Sequence, residues 1–308
     1  MLMDLLRQRS YLYILLSVAL WSTAEVVTRL VVGYITPVQL SFVRFAVGGA
    51  FLAVFLPFEL YRKKLWPTRQ ILFHSAWIAL IGIVVTNLAY QYSLTYAGAG
   101  VVATVFGSSP LFTLIISALL LGDPLTRPRL LGVLTGLGGI GVMTLSRESQ
   151  YFTLTGLGFA LVCSVSLSVF TVLVKKFGGK FGGLPITTFC ILFGAIYLLP
   201  LVFVEGRSET LQNISIIWKP VLYLAIATTG VSYLLFFKGL EHIDSTQAIS
   251  GLFLKPPMAT LLAYVWLKEP ITWNLVVALL LILAGLYLVT KPNRLVKRLE
   301  ALESQLEP

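Results

Sequence analysis

Glu25, Arg44 and Lys255 are ionisable side chains set inside long apolar stretches of the sequence. An ionised group at the centre of a bilayer costs at least ~2.5 kcal/mol, so each calls for a partner or a use. At roughly 1.5 Å per helical residue, Glu25 and Arg44 lie at similar depth, about 5 Å to the same side of the middle of their stretches. Equal depth makes a Glu25–Arg44 pair the plain structural reading. Glu25 with Arg29, one helical turn along, is a second. A Glu25 open to a cavity, as a cation site or a proton-coupling acid, is the third. Lys255 falls near the midplane by the same rise, where no acid of another stretch shares its depth. Pro256 and Pro257 follow it, remove two amide donors and free carbonyls on the preceding turn. A lysine beside broken backbone suits a carboxylate or phosphate on a small molecule. The alternative is a lysine tied to Glu25 or to the freed carbonyls for packing alone. If Lys255 holds a carboxylate and Glu25 an ammonium, the site fits a zwitterion.

Further polar and aromatic side chains fall near the same depth. Trp21 is central in the first stretch; Asn87, Tyr90 and Gln91 sit together in the third, and Thr228, Thr229, Ser232 and Tyr233 in the eighth. Such groups either line a cavity or bind neighbouring helices and the interface belt. Ser109 joins them because, like Lys255, it precedes a midspan proline, Pro110.

The elements that carry these residues follow from composition. Only 12% of the 308 residues are charged, 57% are hydrophobic, and the mean hydropathy is +0.88. Soluble domains carry about 25% charged residues, so the chain reads as a membrane protein. Helices of about 20 apolar residues cross a bilayer, and punctuation divides the sequence into ten. They are Tyr11–Val32, Thr36–Phe58, Gln70–Tyr92, Gly98–Leu121, Pro128–Leu145, Leu154–Lys175, Leu184–Val204, Ile216–Phe237, Thr246–Leu267 and Thr272–Lys291. No period-2 alternation supports barrel strands. The first stretch is too long for a signal-peptide core and reads as a retained span.

Sixteen of the 23 lysines and arginines then fall on one side of the membrane and five on the other, with Arg44 and Lys255 inside spans. This bias puts both termini in the cytoplasm. The net charge of +10 is scattered along span flanks rather than gathered in a patch, which argues against nucleic-acid binding. Cys163 and Cys190 lie in apolar segments and imply no disulfide framework. The two histidines, His74 and His242, are too few for a metal site. No phosphate loop, Ser-His-Asp grouping or cofactor motif occurs at useful spacing, and no catalytic residue is assigned.

The spans repeat. Pro110 and Pro256 are 146 residues apart, and the same offset lays Asp123-Pro124-Leu125-Thr126 on Glu269-Pro270-Ile271-Thr272. Gly139/Gly285 and Thr144/Thr290 keep the register. Five spans are an odd number of crossings, so a second copy is inserted upside down, as in many secondary transporters. The expected architecture is an all-α membrane protein of ten transmembrane helices, built as two inverted five-helix repeats around a central cavity. The repeats are residues 1–146 and 147–292, with a cytoplasmic tail at 293–308. That tail spaces Leu295, Leu299, Leu302 and Leu306 along one helix face. Gly132, Gly136, Gly138 and Gly139 form a close-packing face, serving the monomer or a dimer. Asn213-Ile214-Ser215 matches a glycosylation sequon.

The ordered motifs resemble the EamA family of the drug/metabolite transporter superfamily. Carrying the resemblance are Leu20-Trp21-Ser22, Pro37 with Phe42-Val43-Arg44-Phe45, and Tyr92-Ser93-Leu94-Thr95-Tyr96. They continue with Ser108-Ser109-Pro110-Leu111-Phe112, Gly122-Asp123-Pro124-Leu125-Thr126, Leu131-Gly132 and Gly138-Gly139. The second half echoes them in Gly239-Leu240, Lys255-Pro256-Pro257 and Lys268-Glu269-Pro270-Ile271-Thr272. The resemblance spans about Leu12 to Thr290 and implies ten helices in two inverted halves, alternating access, and export of amino acids or other small metabolites. Asp123 departs from the family's usual Glu, and Lys255 is not a general family feature, which makes it a mark of this member's substrate. The expected function is therefore a secondary active transporter in the cell membrane that exports a small polar metabolite, an amino acid or related compound. Coupling to a proton or another ion is open, and Pro110, Pro256 and Pro257 would be its gates. Rival cargoes are a phosphorylated or nucleotide-linked sugar, which needs more basic cavity residues, and a cationic drug or quaternary amine, which needs an unpaired Glu25. A membrane-embedded enzyme or a channel fits less well.

Overall fold

Apolar runs of this length must satisfy their own backbone groups, and helices do so within one segment. The computed structural model describes residues 2–122, 126–143, 152–178, 181–205, 214–239 and 254–290. Its helices are α1 (Leu2–Ser22), α2 (Ala24–Val31), α3 (Pro37–Arg62), α4 (Arg69–Ala79), α5 (Thr86–Tyr96), α6 (Ala99–Gly107), α7 (Ser109–Leu121) and α8 (Arg127–Met143). They continue as α9 (Leu154–Gly178), α10 (Gly183–Glu205), α11 (Ile214–Ala225), α12 (Ser232–Gly239), α13 (Lys255–Leu267) and α14 (Trp273–Thr290). A π-helical turn, Leu80–Val85, joins α4 to α5, and another, Ile226–Val231, joins α11 to α12.

Among the described residues, seven helical stretches are long and apolar enough to cross a membrane. They answer the first to fourth and sixth to eighth expected spans. α8 and α14 stand where the fifth and tenth were expected, with 17 and 18 residues. α13 supplies the second half of the ninth, whose first half lies outside the described residues. So do Asp123-Pro124, Asn213, His242, Thr144 and the tail from Lys291. Large apolar side chains face outward along the rods, including Val54, Phe58, Leu119, Phe203 and Val204. Water would penalise so much exposed apolar surface, whereas lipid accepts it.

The first span departs from expectation, because it is broken into α1 and α2. Ser22 Oγ bonds the Val18 carbonyl at 2.7 Å and Thr23 Oγ1 bonds the Leu20 carbonyl at 2.7 Å. Adjacent side chains that bond their own backbone compete with the regular ladder, and Thr23 N–H turns to the Leu20 carbonyl. The fourth span breaks at Ser108, where Pro110 in the first turn of α7 is tolerated because the N–H there has no helical partner. Pro256 and Pro257 start α13 in the same way.

These interruptions repeat at the sequence's own spacing of 146. The π-helical turns begin at Leu80 and Ile226, and α7 and α13 begin at Ser109 and Lys255. Both latter helices end on a left-handed residue, Gly122 at φ 75° and Lys268 at φ 57°. Contacts between the halves follow the same exchange. A Cβ on Gly139 would lie 2.8 Å from the Ala278 carbonyl oxygen, and one on Gly285 would lie 2.5 Å from that of Gly132. Adding 146 to Gly132 gives Ala278, so the α8–α14 crossing is the same contact made twice. Close approach of this kind needs residues without bulk. Gly285→Val therefore lowers the thermal unfolding midpoint of detergent-purified protein, by an overpacking cost of about 1–3 kcal/mol. Gly138→Ala, with nothing within 4 Å of its added carbon, leaves the midpoint within a degree or so, about the size of a surface change.

Candidate functional site

The break in the first span brings Glu25 into the first turn of α2, where unsatisfied N–H groups favour a negative side chain. Glu25 is fully buried, and the Lys255 ammonium approaches its Oε1 at 2.8 Å. The approach is that of an ion pair. Lys255 lies at the start of α13, 8% exposed, with its ammonium 3.9 Å from the centre of the Phe106 ring. A cation over an aromatic face is stabilised by the ring's quadrupole, by about 2 kcal/mol or more where water is excluded. Phe106 comes from the last turn of α6, two residues before the fourth-span break at Ser108. At that break a Cβ on Gly107 would fall within the Pro256 ring, so the fourth-span break and the start of α13 touch.

This geometry corrects the expected pairing. Arg44 does not meet Glu25: its Nε donates to Thr229 Oγ1 at 2.8 Å, beside the second π-helical turn. Arg29 does not meet Glu25 either, but donates from Nη1 to the Leu94 carbonyl at 2.7 Å and lies 3.7 Å from Glu269. Nor is Lys255 without an acid in reach. Depth was reckoned at the backbone, and two long side chains close a separation of several ångströms along the membrane normal.

The other expected residues form two groups. Tyr90 is buried, with its hydroxyl beside the Glu25 carboxylate. Cys163 is buried in the same cluster as Tyr90. Trp21 stands in a second, aromatic group, edge-on to Tyr233 with ring centres 5.3 Å apart and 5.2 Å from Phe236. Its indole N–H donates to the Thr228 carbonyl at 3.0 Å. Ser232 bonds the Ala227 carbonyl through its hydroxyl and accepts from Ser17 at its own carbonyl. Asn87 is turned away, with Nδ2 on the Ile83 carbonyl of its own span at 3.1 Å. Ser109 offers its carbonyl to Ser168 at 2.7 Å, while Ser164 bonds the Val105 carbonyl at 2.9 Å. Two serines one turn apart on α9 thus bond carbonyls on either side of the fourth-span break, adding to the Ser108 and Thr113 hydroxyls that already bond them.

Phe106, Cys163 and the serines of α9 were not singled out in the sequence, where an aromatic or a serine in an apolar run carries no signal. Glu269 has a role that its motif only hinted at. Its carboxylate accepts the Ala99 and Gly100 N–H groups at 2.9 and 3.2 Å, capping α6 from the other half of the chain. Among the described residues, no group of three or more metal-ligating side chains gathers.

A bundle of apolar helices interrupted at mid-depth around a buried ion pair is the arrangement of a multi-pass membrane carrier. The chain belongs to the EamA-like transporter family, whose model matches it twice, over residues 8–145 and 154–291. An uncharacterized transporter of Clostridium kluyveri is 27% identical over 90% of this chain and 92% of its own. One of Archaeoglobus fulgidus is 24% identical over 92% and 99%. A probable terminal-alkyne amino-acid exporter of Streptantibioticus cattleyicolor is 23% identical over 62% of this chain and 65% of its own. A solved crystal structure shares the fold at a TM-score of 0.64, with 24% identity over 92% of this chain and 98% of that one.

Breaking a buried pair leaves an uncompensated charge and typically costs about 3–5 kcal/mol, while removing both members is close to neutral. Glu25→Gln alone thus lowers the unfolding midpoint in detergent steeply. The double variant Glu25→Gln/Lys255→Met recovers most of that loss.

Proposed function

We propose that the protein is a secondary active transporter of the cell membrane that exports a small zwitterionic metabolite, an amino acid or a close relative. The observation that carries this reading is the Lys255–Glu25 contact at 2.8 Å, buried where the breaks of the first and fourth spans meet the start of α13. An internal pair of opposite charges is complementary to a zwitterion. The cargo's ammonium replaces Lys255 on Glu25, and its carboxylate takes up Lys255, with Phe106 steadying the lysine during the exchange. Arg44, held by Thr229, supplies a second cation for the carboxylate. Trp21, Tyr90 and Tyr233 wall the cargo, with Ser109 and Ser232 at the edges.

Charge neutrality explains why such a site can be turned from one side to the other. Empty, the site is neutralised by its own pair, and loaded, by the cargo. Neither state exposes a bare charge to an apolar interior, where the cost would be several kcal/mol. The two halves are inverted five-helix repeats with both termini in the cytoplasm. They rock about the pair, with Pro110, Pro256 and Pro257 at the points of bending. The amino-acid exporter among the relatives supports this cargo class. A quaternary-amine carrier is disfavoured because Lys255 already occupies Glu25, and a sugar-phosphate carrier because only two cations are at hand.

Uptake of a panel of tritiated neutral amino acids into proteoliposomes, with and without an imposed pH gradient, tests the proposal. At least one member is transported by wild type. Lys255→Met raises its KM about tenfold to a hundredfold, the loss of a charged hydrogen bond of ~1.5–3 kcal/mol. Transport unchanged in Lys255→Met, at matched protein incorporation, removes Lys255 from the site.

A further inference from the structure

Nine buried side-chain polar atoms have no hydrogen-bond partner among the described residues, and five of them lie on α2 and α5. They are both carboxylate oxygens of Glu25, the hydroxyls of Thr28 and Tyr90, and the amide nitrogen of Gln91. Folded proteins leave few such atoms, and each calls for an explanation. The Glu25 and Tyr90 atoms belong to the site above. Thr28 and Gln91 do not. Thr28 follows Glu25 by one turn, about 4.5 Å further along the helix, and Gln91 adjoins Tyr90. On the orientation proposed above, both steps lead outward.

They lead to a cleft of about 310 Å³ between the end of α2, the 32–36 connection, the start of α3 and the last turns of α5. Thr28 and Gln91 both line it, although their side chains are only 1% and 2% exposed. Tyr92 and Tyr96 form an aromatic wall, and Phe159 of α9 fixes both from behind, with stacked ring centres 5.4 and 6.0 Å away. Among the described residues, no ionised side chain lines the cleft.

We propose that this cleft is a second, outer binding site for the cargo, from which it leaves the protein. A turn about their side-chain bonds brings the buried Gln91 amide and Thr28 hydroxyl into the cleft to donate to the cargo's carboxylate, and its apolar part lies against Tyr92 and Tyr96. Neutral donors hold a carboxylate less firmly than a cation does, so the outer site binds more weakly than the Lys255 site and suits release. The orphaned donors are then the structural cost of a place built for a visitor. This inference rests on the transport reading and extends it by a site.

Equilibrium dialysis in detergent, with a tritiated amino acid that wild type transports, separates the two claims. Wild type binds two molecules per chain. Gln91→Leu and Thr28→Val each keep the tighter site and lose the weaker. Lys255→Met keeps only the weaker. Both outer-site variants unfold at or above the wild-type temperature, since an apolar replacement removes an unsatisfied group, and this distinguishes a lost site from a lost fold. A wild-type stoichiometry of one, whichever variant abolishes it, overturns the outer site and leaves the transport reading standing. So does a stoichiometry of two that Gln91→Leu and Thr28→Val leave intact. Failure of wild type to transport any amino acid of the panel overturns both.

Discussion

A charge surrounded by apolar side chains needs its opposite within a few ångströms, and here the opposite comes from the far end of the sequence. Glu25 on α2 and Lys255 on α13 meet at 2.8 Å, with Phe106 closing over the lysine. The contact draws together the first and fourth spans, each broken within a few residues of the side chain it contributes, and the start of α13. Helix ends within a bilayer leave backbone groups that neighbours or side chains must meet. Serines of α9 add bonds to carbonyls on either side of the fourth-span break, and the Tyr223 hydroxyl meets that of Thr23 at the first, 2.8 Å away.

The repeated register gives this arrangement its economy. One pattern of interruptions, read twice at a spacing of 146, yields two π-helical turns, two helices started by proline and two left-handed ends. Identical backbone does not imply identical side chains. Ser109 and Lys255 occupy the same register position, yet only the second is charged. Glu25 likewise corresponds to Thr171, whose hydroxyl bonds the Leu167 carbonyl and leaves no charge in the membrane. The asymmetry of the charges within a symmetric frame gives the chain one polar centre, where strict symmetry would give two.

Much of the fold was legible because bilayer length, apolar runs and the proline register are strong, local signals. The limits of the second to fourth and sixth to eighth spans fell within a few residues of the observed helices, the first helix began nine residues earlier than expected, and the fourth-span break follows from Pro110. The break at Ser22–Thr23 was not read, since two small hydroxyl residues in a helix are ordinary until their side chains are seen bonding their own carbonyls. The charged residues themselves were visible, and a lysine tied to Glu25 was among the readings, but spacing alone did not select it over Arg44. Depth along a helix is one coordinate of three, and it favoured Arg44 for Glu25. Rotation of the helices and side-chain reach decided for Lys255 and turned Arg44 to Thr229. Asn87 shows the same gap: its position in the span was right, and its direction was not readable from spacing.

The central claim is that cargo enters by parting this ion pair. Its most direct test is an experimental structure with a transported amino acid bound. The account predicts that the Lys255–Glu25 separation opens well beyond 2.8 Å, with the cargo's ammonium on Glu25 and its carboxylate on Lys255. A cargo bound elsewhere in the bundle, with the lysine still seated on Glu25, would contradict it.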